Sequence, residues 1–300
     1  MRIRIFSDSE SASAESDPNT SVEYKELYEG LCDAEWVRYC KKEKEIAFVV
    51  DDSYTHAIVL GQAEPELLVD KSRVIGFSLE AKPVWKPHFI QYAKRRIGVY
   101  YVGDYDDDDV SLGTEPFVEH FSYVLYSLPT RVIYEKSSYM SLVVYDKRYS
   151  LGQHYCNRIA DMIVKNNLPI DIYGNPTQNY SDLISSVNMF TIRETYKPTR
   201  PYEKYAFSIV IEENTSKHFY SDKPITAMMC HCVPIYYGCF VLNKKLEDNV
   251  VRLTGNLSRD MNLIVNVLRN PEQFYKEIDV ALVDKEVNLL KNAEYLFPVR

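Results

Sequence analysis

Short apolar runs rich in β-branched residues alternate along this chain with segments of helical period, the pattern of an α/β protein with mostly parallel strands. A first series of strands is expected at "RIRIF" (2 to 6), "EIAFVV" (45 to 50), "HAIVL" (56 to 60), "RVIGFSL" (73 to 79) and "IGVYYVG" (97 to 103). A second series is expected at "SLVVYD" (141 to 146), "IDIYG" (170 to 174), "AFSIVIE" (206 to 212) and "VPIYYG" (233 to 238), with helices between its members. Each series makes one sheet, so the 300 residues are read as two α/β domains, 1–140 and 141–300. Between them "GDYDDDDVSLGTEP" (103 to 116) reads as a surface loop, and "FVEHFSYVLYSLPTRVIY" as a short helix and a strand leading into the linker. Residues 7 to 21, rich in Ser, Asp, Glu and Asn, read as a mobile loop. "DMNLIVNVLRNPEQFYKEIDVALVDKEVNLLKNAEYLF" carries helical periodicity for two or three helices, able to pack back on the first domain.

Composition narrows the function classes. The formal charge is −8, with 35 basic against 43 acidic residues, which leaves no basic stripe to follow a phosphate backbone, so nucleic acid is not an expected partner. No run of 18 apolar residues is present to span a membrane, and "MRIRIFSDSESASAESD" turns polar too early for a signal peptide. The expected location is the cytoplasm. The cysteines at 32, 40, 156, 230, 232 and 239 lack the spacing of a disulfide framework and are read as reduced. "CHC" at 230 to 232 sits at the end of an apolar helix with no second ligand pair, so buried small hydrophobes are expected there rather than zinc. Matches to N-x-S/T at Asn179, Asn214 and Asn256 mean little without a secretory signal.

Chemistry concentrates in "FSIVIEENTSKHFYSDKPITAMMCHCVPIYYG", residues 207 to 238. It reads as a strand, a polar loop, a helix capped by Ser221 or Asp222 with Pro224 in its first turn, and a second strand closed by Gly238. Ile225, Met228, Met229 and Cys232 recur at helical offsets and form the face that packs on the sheet. In an open α/β sheet such a loop lies at the carboxyl end of a strand, beside a helix N-terminus that favours an anion. Lys223 adds a full positive charge there, where the helix dipole alone disfavours it, and a bound phosphate supplies the reason. Glu213 and Asp222 suit acceptance of hydrogen bonds from sugar hydroxyls. A nucleotide carrying a diphosphate fits both features. The alternative is a capped surface helix whose charges are solvated. Upstream, "KRYSLGQHY" leads into a helix around Cys156 to Val164 whose buried stripe is Cys156, Ile159, Ala160 and Ile163. Arg158 lies near its start on another face, where it could reach the same phosphates as a fork or remain solvated.

These residues carry a family resemblance. "IEENTSKHFYSDKPITAMMCHCVPIYYG" resembles the donor-binding signature of the α1,3/α1,4-fucosyltransferase family, whose pattern is roughly F-E-N-S, a few residues, Y-V-T-E-K, a helix, then V-P-I-Y-x-G. "KRYSLGQHYCNRIADMIVKNNLPIDIYG" is similar to the segment before it, and "FSLEAKP" more faintly to an N-terminal G/F-E-x-P segment. The resemblance implies a GT-B-like enzyme: two Rossmann-like domains with mostly parallel sheets facing a cleft, the second binding a nucleotide sugar, GDP-fucose in characterised members. It implies diphosphate contacts from Lys223 and Arg158, ribose held by Asp222, and Glu213, Asn214 and Ser221 around the donor, with Glu80 as base. No cofactor beyond the donor co-substrate is implied, and a divalent metal is not expected to be essential. Asp222 stands where the family has glutamate, Phe219 where it has tyrosine, and Pro224 where an aliphatic residue is usual, so another nucleotide or sugar remains an alternative donor.

The implied reaction is an inverting displacement at the anomeric carbon, in which a base takes the proton of a glycan hydroxyl while bonding to the diphosphate breaks. A different class, a module that binds a nucleotide sugar or glycan without transfer, stays open beside it. The acidic run Asp104 to Asp109 could hold Mg²⁺ or Mn²⁺ but reads as a solvated turn far from the phosphate loop. His154 and His218 flank the nucleotide loops, yet no Ser/His/Asp or Cys/His order appears, nor a G-x-G-x-x-G or Walker loop. The lack of an anchor sets the chain apart from Golgi-resident members of the family and points to a microbial or viral cytosolic enzyme.

Overall fold

Parallel strands need crossover connections, and the chain supplies them twice. The structure, a computed structural model, describes residues 1–7, 46–81, 85–104, 115–123, 135–144, 149–174, 192–193 and 199–297. It forms two compact units: Met1–Ser127 together with Asn288–Arg300, and Leu128–Val287. The division expected near residue 140 falls inside a strand of the second unit, and the last helix joins the first. Ser7, expected to open the loop at 7 to 21, ends a strand instead, and the rest of that loop and all of the acidic run after Asp104 lie outside the described residues.

In the first unit six strands, β1 (Arg2–Ser7), β2 (Ala47–Phe48), β3 (His56–Leu60), β4 (Val74–Phe77), β5 (Val99–Val102) and β6 (Phe117–Glu119), pair in parallel in the order β2-β1-β3-β4-β5-β6. All five expected strands are present. Helix α1 (Pro87–Arg96) starts on a proline, which its fixed φ suits, and ends on Lys94, Arg95 and Arg96, whose charges match the negative end of the dipole. Phe89, Tyr92 and Ala93 of that helix bury against Ala57, Val59, Val74 and Tyr100 on one face of the sheet. The other face, with Ile3, Ile58, Ile75 and Phe77, is covered by Leu289, Ala293 and Leu296 of the C-terminal helix Leu289–Leu296. "FVEH", expected to open a short helix, instead forms the edge strand β6. Phe117 pairs with Tyr100 and buries its ring among Trp85 and Tyr100, a contact that helical periodicity could not reveal.

The second unit pairs β7 (Ser138–Val143), β8 (Asp171–Tyr173), β9 (Ile192–Arg193), β10 (Tyr205–Ser216), β11 (Val233–Cys239) and β12 (Val251–Arg252) in the order β12-β11-β10-β7-β8-β9, again all parallel. Counted along the chain this is the 3-2-1-4-5-6 order of dinucleotide-binding sheets, with its reversal between β7 and β10. β10 is central, and its run Phe207 to Ile211 is buried, as expected of a strand covered on both faces. "ENTS" (213 to 216), expected as loop, continues this strand. Register shifts between Ile211 and Ser216, after which Ser216 pairs with Cys239 and its carbonyl accepts the Phe240 N–H. The irregular connection to the next helix is therefore shorter than the sequence implied.

Candidate functional site at the strand reversal of the second unit

The reversal sets the carboxyl ends of β7 and β10 side by side, each followed by a helix. After β7 comes helix α2 (Leu151–Lys165), whose cap is Ser150. Ser150 Oγ accepts the Gln153 N–H at 3.2 Å, and Gln153 Oε1 accepts the Ser150 and Tyr149 N–H groups at 3.2 and 2.7 Å, a reciprocal box that satisfies three donors. The same glutamine donates through Nε2 to Glu213 Oε2 at 3.0 Å, so the start of α2 is tied to the end of β10. Gly152 makes the approach sterically feasible. A Cβ there would lie 1.9 Å from the Glu212 carbonyl oxygen and 2.5 Å from that of Glu213.

Beyond β10 the chain turns into helix α3 (Asp222–Met229), capped by Ser221, whose Oγ accepts the Lys223 N–H at 3.2 Å. Ile225, Met228, Met229 and Cys232 are all buried, as the periodicity predicts. Glu212 anchors this turn. Only 4% exposed, it accepts the Ser221 N–H at 2.9 Å and the Tyr236 hydroxyl at 3.0 Å on Oε1, while the Tyr236 oxygen accepts the Cys239 N–H at 3.0 Å. Gly238 admits it, since a Cβ at that position would stand 2.1 Å from Glu212 Cγ. Burial pushes the Glu212 carboxyl up, opposed by Lys223 and by the two hydrogen-bond donors. Asp222 keeps an exposed surface, yet the crowding of its carboxyl group also raises its pKa, again opposed by Lys223. Its negative charge in the first turn offsets the unfavourable placement of a lysine there.

Glu213, Asn214, Ser221, Asp222 and Lys223 thus gather at one sheet edge, with Glu213 and Asn214 exposed and Ser221 and Lys223 half-buried. Lys223 is also felt on α2: burial pushes the Cys156 thiol up to about 12, and the ammonium opposes that shift. Arg158 stands differently. It is the eighth residue of α2, about 10 Å along the axis from the first, on the exposed stripe with Leu151, His154 and Asp161 rather than the buried stripe with Cys156. Its charge acts on Tyr155. Glu80 belongs to the first unit, in an exposed bend three residues past the end of β4, where its N–H donates to Ser78 Oγ at 3.2 Å.

One cluster at this edge escaped the sequence reading. Helix α4 (Leu257–Arg269), capped by Asn256, carries Asp260 in its first turn, 1% exposed. Asp260 accepts the Thr254 N–H, the Thr254 hydroxyl at 2.8 Å, the Gly255 N–H at 2.8 Å and the Tyr155 hydroxyl, and Tyr155 packs on Tyr237 with ring centroids 5.1 Å apart. The loop after β12 is thereby pinned to α2. "TGNLSRD", a turn glycine before an Asn cap and a first-turn acid, was the available signal. Cys156, Cys230, Cys232 and Cys239 are buried and in no disulfide, in keeping with their reading as small hydrophobes, whereas Cys32 and Cys40 lie outside the described residues. Among the described residues no group of three or more His, Cys, Asp or Glu is placed to hold a metal ion, and no helix is long and apolar enough to cross a membrane.

Two mostly parallel α/β sheets, the second in dinucleotide-binding order with its polar loops at the reversal, define the fold class, and that fold is shared with GT-B glycosyltransferases. The Anabaena protein HepE, solved with UDP and glucose, superposes with a TM-score of 0.53 at 9% identity over 99% of this chain and 98% of its own. An α-glucosyltransferase solved with UDP and DNA superposes with a TM-score of 0.52 at 9% identity and the same coverage. An α1,3-fucosyltransferase solved with GDP-fucose gives 0.47 at 11% identity, over 91% of this chain and 79% of its own. No protein-family model matches the sequence, and no curated protein sequence matches it.

Proposed function

We propose that the chain is an inverting glycosyltransferase that moves a sugar, fucose from GDP-fucose, to a hydroxyl of a glycan acceptor. The observation that carries this reading is the β7/β10 reversal, where the starts of two helices, the half-buried Lys223 and the exposed acids Glu213 and Asp222 meet at one sheet edge. The positive ends of two helix dipoles and an ammonium favour a diphosphate. The acids suit ribose and sugar hydroxyls. Lys223 is the principal diphosphate contact in this proposal, Asp222 holds the ribose, and Ser221, Glu213 and Asn214 surround the donor. Arg158, on the outward stripe of α2, is assigned the secondary phosphate contact.

In the reaction the acceptor oxygen forms its bond to the anomeric carbon as the bond from that carbon to the diphosphate oxygen breaks. The acceptor's proton passes to Glu80, and the electron pair leaves with GDP. Lys223 and the dipole of α3 act on charge that grows on the leaving group, as fixed charges that need no reorganisation. A second reading of the donor, a UDP-linked hexose, is favoured by the likeness to HepE and to the α-glucosyltransferase, both solved with UDP. Incubation of the protein with GDP-fucose, UDP-glucose and other nucleotide sugars, each with a glycan mixture, separates the readings by the nucleotide released. Release of GDP with a fucosylated product supports the proposal, UDP release supports the second reading, and binding without release makes the chain a binding module. Glu80→Gln should abolish transfer while donor affinity is kept, and unchanged transfer would remove Glu80 from the base role.

A further inference from the structure

Glu212 takes no part in the reaction as written, yet it is buried directly beside the cap of α3. It stands where the fucosyltransferase-like pattern F-E-N-S places phenylalanine, so its presence is a departure that the resemblance does not account for. A carboxyl group that is 4% exposed at the end of a central strand costs several kcal/mol of desolvation unless it is satisfied, and here two donors converge on Oε1. One is the N–H of Ser221, the cap residue of α3, and the other is the hydroxyl of Tyr236, itself held by the Cys239 N–H. The glycine at 238 leaves the space that the side chain fills.

We infer that Glu212 is a positioning residue for the donor diphosphate: through Ser221 it fixes the first turn of α3, and with it the start of the helix dipole and the Lys223 side chain. This rests on the donor-site reading above. Without Glu212 the Ser221 N–H loses its partner, the cap of α3 loses its link to Tyr236 of β11, and a half-buried lysine can swing out to solvent. The hydrogen-bonded geometry needs an acceptor at Oε1 and does not need the charge. Glutamine therefore substitutes for it, and methionine, of similar length with no acceptor in place, does not.

The test is GDP binding by calorimetry, far below the melting temperature, for the native protein and for Glu212→Gln, Glu212→Met, Lys223→Met and Tyr205→Phe. Tyr205→Phe is the stability control. It removes a buried hydroxyl that donates to Asp171 at the opposite end of β10 and should lower the melting temperature with GDP affinity unchanged. Glu212→Met should raise the Kd for GDP at least tenfold, and Glu212→Gln should stay within about threefold of native. If Glu212→Met does not fold, Tyr236→Phe, which deletes one of the two bonds to Oε1, should raise the Kd at least threefold. An unchanged Kd for Glu212→Met, or for Tyr236→Phe where that variant carries the test, overturns the inference, as does a Glu212→Gln loss as large as that of Glu212→Met. If GDP binds the native protein and Lys223→Met weakens it while Glu212 variants do not, the donor site stands and the inference alone fails. If GDP does not bind the native protein, or Lys223→Met leaves its binding unchanged, the donor-site reading fails and takes the inference with it.

Discussion

Replacing Gly152 with alanine puts the packing of the proposed site to a numerical test. The added Cβ would sit 1.9 Å from the Glu212 carbonyl oxygen and 2.5 Å from that of Glu213, both backbone atoms of a central strand. Ordinary contact begins near 3.4 Å, so α2 must retreat from β10 by roughly 1.5 Å, or the end of β10 must yield by the same amount. Helix propensity works the other way, since alanine in place of a helical glycine gains at most about 1 kcal/mol. Overpacking of a closed contact costs about 1–3 kcal/mol, and a displacement of this size would also stretch the Gln153–Glu213 hydrogen bond. The clash should win, with a net loss of about 1–2 kcal/mol. That corresponds to roughly 2–3 °C in melting temperature for a chain of 300 residues. Binding of GDP should suffer more than stability, because a shift near 1 Å at a preorganised site can cost about a hundredfold. Differential scanning calorimetry and a GDP titration of the Gly152→Ala variant measure both. A variant that melts at or above the native temperature would refute the close approach of α2 to β10, and unchanged GDP affinity would refute the role assigned to that approach.

Glu212 gives a stability effect with a definite sign. Because burial raises its pKa above the ordinary 4.5, the native state binds more protons than the unfolded chain between that value and the raised one, so stability should fall as pH climbs through the window. Melting curves from pH 4.5 upward should fall less steeply for Glu212→Gln than for the native chain. Asp260→Asn should lower stability by about 1–3 kcal/mol in urea unfolding, since the new amide N–H group meets donors from Thr254, Gly255 or Tyr155 where a carboxylate oxygen accepted them. Arg158→Ala should weaken donor binding less than Lys223→Met, which is expected to cost a hundredfold or more in turnover by analogy with other fixed charge donors.

Much of the fold was legible because parallel central strands are apolar throughout and stand out between amphipathic helices. "HAIVL", "VPIYYG" and the stripe Ile225, Met228, Met229, Cys232 required no tertiary information. The short edge strands β9 and β12 and the edge strand β6 did not stand out, because two- or three-residue pairings depend on a neighbour rather than on a local pattern. The extension of β10 through "ENTS" was hidden for the same reason: Ser216 resumes pairing with Cys239 after an irregularity that only the register displays. At the candidate site, Ser221 and Lys223 were readable from cap chemistry and from a lysine where the dipole disfavours one. The tie from Gln153 to Glu213, the anchoring by Glu212 and the Asp260 cluster were not, since each joins residues distant along the chain, whereas the capping box of Ser150 and Gln153 is a local S-x-x-Q signal that was open to reading. Arg158 illustrates the converse limit. Its chemistry suits a phosphate, but its place on the exposed stripe of α2 follows from the phase of the helix.

A crystal structure of the protein with GDP bound tests the central claim most directly. The account expects the diphosphate at the start of α3 within hydrogen-bonding distance of Lys223 Nζ, with the ribose against Asp222. A diphosphate bound away from α3, or seated on the first unit, would contradict it.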